Sequence, residues 1–162
     1  MFKKSSINSQ LGLFTNTSSL LCKRESKQYD DELEWHSQFF CNVTCNIDEE
    51  VFRPLYTERN FGCPTKHIRQ LVAMNILKEG AGCSDEQLFE NCQFNLLWRK
   101  ALGLFNLDDE CPSQASYYLF RGKICEHEKN SENHENLFEE CFKKLTPSLI
   151  SYWSLFLQIS VL

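Results

Sequence analysis

The stretch PTKHIRQLVAMNILKEGAGCSDEQLFENCQFNLLWRKALGLFNLDDECPSQASYYLFRGKI, residues 64–124, decides the fold. Pro64 and Thr65 open a predicted helix in which Ile68, Leu71, Val72 and Ile76 recur at helical spacing. That stripe leaves Lys66, Arg69, Gln70 and Lys78 to solvent. Gly80-Ala81-Gly82 ends the helix, because glycine accepts the left-handed conformation that closes one. Ser84 followed by Gln87 is a capping-box signature for a second helix that buries Leu88, Phe89 and Cys92. Asn95 caps a third, through Leu96, Leu97, Trp98, Ala101 and Leu102, and Gly103 stops it. Leu104-Phe105 then dips back before the acidic loop Asp108-Asp109-Glu110. Ser113 caps a fourth helix with Tyr117, Phe120 and Ile124 on one face. The expected fold class is all-α, with a helix-turn-helix-like core.

Working outward, residues 1–28 are rich in Ser, Asn, Thr and Lys and are expected to form a flexible basic arm. A helical domain is expected over residues 29–145. Its first helix is placed near Asp30 or Asp31, where carboxylates suit the positive end of the helix dipole. Leu33, His36, Phe40 and Val43 follow at helical spacing, and His36 in that stripe is a packed histidine rather than a ligand. Asp48 is a plausible N-cap for a short helix ending before Pro54, with Leu55, Tyr56 and Phe61 as loop anchors. Asn130 to Asn136 interrupts or kinks the chain, and Leu137, Phe138, Cys141, Phe142 and Leu145 resume an apolar stripe. Residues 146–162 form an atypical tail. No charged residue follows Lys144, and the apolar run is shorter than the roughly 20 residues a membrane helix needs. The expected location is cytoplasmic, with no membrane partner.

The 162 residues carry a formal charge of −5, which argues against a surface wrapped wholly in nucleic acid. The charge is banded. Residues 1–27 hold five basic residues against one acidic, and residues 28–50 hold seven acidic and no basic ones. Residues 51–80 are again net basic. The two basic bands are where an anionic partner is expected. The nine cysteines are odd in number and irregular in spacing, with no secretory leader before them, and are expected to be reduced thiols. Cys41 and Cys45 with His36 form at most half of a zinc motif, so no metal ligand and no cofactor are assigned. No Gly-x-Ser-x-Gly, P-loop or His-Glu-x-x-His occurs, and no catalytic residue is assigned.

Nucleic-acid binding is the better physical case. The short helices Ser84–Asn91 and Asn95–Leu102, joined by a tight turn, have helix-turn-helix dimensions. Arg99 and Lys100 on the second, Arg121 and Lys123 on the next helix, and the hydroxyls of Tyr117 and Tyr118 are candidate DNA contacts, with Lys66 and Arg69 on the first.

Pro64, Leu71 to Leu77, Ser84-Asp85 with Leu88, Arg99 with Leu102-Gly103-Leu104, and Phe120-Arg121 occur in the order of a known pattern. In that order the chain resembles the N-terminal domain of InsH-type bacterial insertion-sequence transposases. The opening MFKKSSINSQLGLF and the later LFEECFKKLT extend the likeness over residues 1 to about 146. The resemblance implies a DNA-associated helical module ahead of an RNase H-like domain. That second domain would hold an Asp-Asp-Glu triad and two divalent metals for strand transfer. No such triad can be placed here, so the chain is expected not to be an enzyme but a truncated or frameshifted transposase remnant. Transposon ends are the expected DNA partner. The alternatives are a module that assembles with itself or with full-length transposase through Trp98, Leu102, Phe138 and Phe142, and a non-functional pseudogene product.

Overall fold

A helix from Ile68 to Ala81 (numbered α4 below) forms the centre of the molecule, because eight of its 14 residues are buried. A one-sided helix on a surface buries only a stripe; one that is apolar on several faces is wrapped by its neighbours. The computed structural model describes residues 17–56, 67–130 and 136–145. Within them the chain runs through α1 (Thr17–Leu20), α2 (Lys23–Asp30), α3 (Trp35–Asn42), two 3₁₀ segments (Thr44–Asn46 and Glu49–Leu55), and α4. It continues through α5 (Asp85–Phe94), α6 (Leu96–Ala101), α7 (Gln114–Asn130) and α8 (137–145). No strand occurs among the described residues, so the fold is all-helical.

The expected punctuation marks act as written at most of the helix ends. Gly82 closes α4 at φ 60°, and Ser84 and Gln87 form a reciprocal capping box on α5. The Asn95 carboxamide accepts from the N–H groups of Leu97 and Trp98 at the start of α6. Ser113 accepts from the Ser116 N–H at the start of α7. Gly103 is required on two counts. Its φ is 79°, and a β-carbon there would lie 2.8 Å from the Phe40 ring.

The core joins α4 to every long helix. Leu71, Val72, Met74 and Leu77 share one buried cluster with Leu88 and Cys92 of α5, and with Tyr117, Phe120 and Ile124 of α7. Each such side chain contributes about 1.5–3 kcal/mol on burial. The Tyr117 hydroxyl donates to Asn75 Oδ1 at 2.9 Å, tying α7 to α4, and burial raises its pKa to about 12. Phe52 meets Phe120 at a tilt and Phe138 edge-on, at centroid distances of 5.5 and 5.8 Å, and so draws α8 onto the body. Leu137, Cys141 and Leu145 are buried on the expected face of α8.

Several expectations need correction. Within the span expected as an arm, residues 17–28 contain α1 and the larger part of α2, and both helices rest on the body. Thr17 donates through Oγ1 to the Phe105 carbonyl at 2.9 Å, and Tyr29 is buried. Residues 1–16 lie outside the described residues, as do Phe61 and the tail 146–162. The helix placed at Asp30 or Asp31 starts at Trp35 instead, because Asp31 is extended (ψ 121°) and its carboxylate caps the Leu33 N–H as a turn. Leu33, assigned to the apolar stripe, is exposed for that reason. Helix α4 begins at Ile68, since His67 sits in the left-handed region (φ 66°); Pro64 and Thr65 lie outside the described residues. The 3₁₀ segment capped by Asp48 runs past Pro54 to Leu55.

Candidate nucleic-acid interface

The helix pair α5–α6 turns on a single residue, Asn95, and its second helix faces inward. Trp98, Arg99 and Ala101 of α6 are all buried, because α6 is the element packed against α3. Arg99 is only 7% exposed. Its Nη2 donates to the carbonyls of Asn106 and Asp109, each at 2.9 Å. Those bonds fold the acidic loop back onto α6, and the Asp109 carboxylate accepts from the Asn106 N–H at 2.8 Å. Arg99, a candidate DNA contact, is therefore a loop clamp. Through Nη2 it supplies donors to carbonyl oxygens of the loop that are buried or partly buried.

Lys100 points the other way along α6 but is also engaged. Its ammonium donates to the Tyr29 carbonyl and lies 4.6 Å from the centre of the Tyr29 ring. Burial depresses its pKa. The same carbonyl meets His36 Nε2 at 2.9 Å, and burial lowers the His36 pKa. His36 is thus the packed histidine its stripe implied. No group of three or more His, Cys, Asp or Glu suited to a metal ion exists among the described residues.

The remaining candidates gather on one carboxylate. Asp85, in the first turn of α5, takes Lys78 Nζ at 2.6 Å, the Tyr118 hydroxyl at 3.0 Å and Arg121 Nη1 at 3.9 Å. The Lys78 hydrogen bond, ahead of the others, holds its pKa below the ordinary aspartate value. Arg121 also lies 5.7 Å from the Tyr117 ring centre. Lys78 and Arg69 were expected in solvent and are not: Arg69 Nε faces the buried Glu49 carboxylate at 3.3 Å. Gln70, expected beside them, is buried. Lys123 is exposed, with its ammonium 4.2 Å from the Tyr56 ring centre. Lys66 lies outside the described residues.

Of the residues offered as protein contacts, Trp98 and Leu102 are in the core, while Phe138 and Phe142 are partly buried against it. The large apolar side chains on the surface are others, notably Phe94 and Leu119.

The cations without a side-chain partner among the described residues are elsewhere, Lys129 at the end of α7 and three on α2. Lys23, Arg24 and Lys27 on α2 are all exposed, and among the described residues none of the three has an ion-pair or hydrogen-bond partner. The polar composition of residues 1–28 hid this helix. Its one legible signal was the Lys23-Arg24-x-x-Lys27 spacing with Tyr29 as the lone large apolar residue.

A family model described as a transposase domain (DUF772) matches residues 27–123, from the second half of α2 to within α7. No curated protein and no solved structure matches the chain.

Proposed function

The chain belongs to the DUF772 transposase-domain family, and on that premise we propose that its helical body is the DNA-recognition part of an InsH-type insertion-sequence transposase. It binds transposon ends and leaves strand chemistry to other residues than its own. The observation that carries this is the family match from α3 through α6 and into α7. The test is fluorescence anisotropy of a labelled terminal-repeat duplex and a scrambled duplex of equal length. Between about 50 and 200 mM salt, affinity for both should fall steeply, with the terminal repeat bound more tightly throughout. Absence of binding to either duplex at the lower salt would sink the proposal.

A second reading, association with itself or with full-length transposase, is favoured by the surface apolar residues Phe94 and Leu119, which are 77% and 67% exposed. Co-purification with intact transposase that survives high salt and is lost in Phe94→Ser supports that reading. A strictly monomeric chain that captures no transposase excludes it.

A further inference from the structure

We propose that α2 is the phosphate-contacting element of this domain, through Lys23, Arg24 and Lys27, and that its ligand is the backbone of duplex DNA. The assignment rests on the DNA reading above and specifies where the duplex sits.

Three observations carry it. The first is availability. Lys78 and Arg121 share the single carboxylate of Asp85, Arg69 faces Glu49, Arg99 is held by carbonyls and Lys100 by the Tyr29 carbonyl. Phosphate binding by any of these would first have to break an internal contact. Lys23, Arg24 and Lys27 have none to break among the described residues.

The second is direction. At 100° per residue, Lys23, Lys27 and Arg24 fall within an arc of about 100°, while Tyr29 points away from its middle. Tyr29 is the buried residue of α2, so the cationic arc faces outward. Lys23 and Lys27 stand one turn apart, about 6 Å along the axis. That is close to the roughly 7 Å covered by two phosphate steps along a duplex.

The third is anchoring. The Tyr29 carbonyl accepts from Lys100 and meets His36, and the Tyr29 ring stacks on His36 with centroids 6.1 Å apart. Ser26 donates to Asp30 at 3.1 Å, which fixes the helix's C-terminal carboxylate in place beside the edge of the cationic arc. The cations are therefore presented from a fixed position on the body. Glu25 lies outside the arc and lines a groove of about 550 Å³ between α2 and α5, opposite Glu90. Two carboxylates in that groove repel phosphate, which leaves the outer arc as the contact surface.

The test compares the full chain with Lys23→Gln/Arg24→Gln/Lys27→Gln, and with Arg53→Gln/Lys129→Gln/Lys143→Gln, which removes the same charge elsewhere. The α2 variant should unfold at the same temperature as the parent and lose on the order of tenfold or more in duplex affinity near 0.1 M salt. Its slope of log affinity against log salt should shrink by up to about three, near one per phosphate contact removed. Equal losses in both variants, or an α2 variant that binds as the parent does, overturns the assignment while leaving the DNA reading standing. A parent chain that binds neither duplex overturns both. Binding to phosphatidylserine-rich vesicles but not to duplex assigns the arc to a lipid surface and likewise overturns the proposal.

Discussion

Arg99 and Arg24 place the same guanidinium in opposite surroundings, one closed over by the 106–109 loop and one on the outward face of α2. The α4–α7 body treats most of its cations as structural parts: Arg69, Lys78, Arg99, Lys100, Arg121 and Lys123 each meet a carboxylate, a carbonyl or a ring, and Lys129 at the end of α7 stays in solvent. Helix α2 leaves its three cations to solvent. A cation's value to a polyanion is set by what it must give up on binding, so charge counted along a chain is a poor guide to where a phosphate will sit.

The sharpest way to break this comparison is to exchange the two arginines' fates. Arg99→Ala strips a donor from the Asn106 and Asp109 carbonyls and should cost about 2–4 kcal/mol in urea unfolding. Arg24→Ala should stay within about 0.5 kcal/mol of the parent. An Arg99→Ala protein that keeps its stability but loses salt-dependent DNA binding would reverse the two roles.

A smaller effect is expected at the cap of the helix that presents Asp85. Ser84→Ala removes the oxygen that accepts from the Gln87 N–H and should destabilise by about 1 kcal/mol, read as a lowered thermal midpoint. No change would mean that tertiary packing alone holds the first turn of α5.

The smallest stability effect concerns Asp85 itself. Asp85→Asn should cost under about 1 kcal/mol at neutral pH, because the ion pairs are partly solvated. Its pKa is depressed in the folded state, so the stabilisation is complete above the unfolded-state value near 4 and disappears as pH falls through the folded value. The parent and Asp85→Asn melting temperatures should therefore converge below about pH 4. Convergence at neutral pH instead would show that the ion pairs contribute nothing. The substitution also releases Lys78 and Arg121, and DNA affinity at low salt should tighten by roughly 2- to 5-fold. Unchanged affinity would mean that this face stays away from the duplex.

Much of the fold was legible because its signals are local. Gly82, Ser84 with Gln87, Asn95, Gly103 and Ser113 mark helix ends through bonds to neighbours within a few residues. The candidate interface was less legible because its decisive contacts are remote. Asp85 meets Tyr118 across 33 residues and Lys100 meets Tyr29 across 71. Helix α2 is hard to see in the sequence because a run of Lys, Ser and Gln has little to bury, and the docking of Tyr29 that holds it depends on His36 and Lys100.

The amino-acid sequence by itself determined an all-helical domain, its caps, a packed His36 and an apolar face on α8, all of which follow from periodicity and short-range hydrogen bonding. Only the tertiary structure decided which of its cations are free. Pairing depends on distances between elements far apart in the chain, and those distances exist only once α4 has gathered the other helices around it.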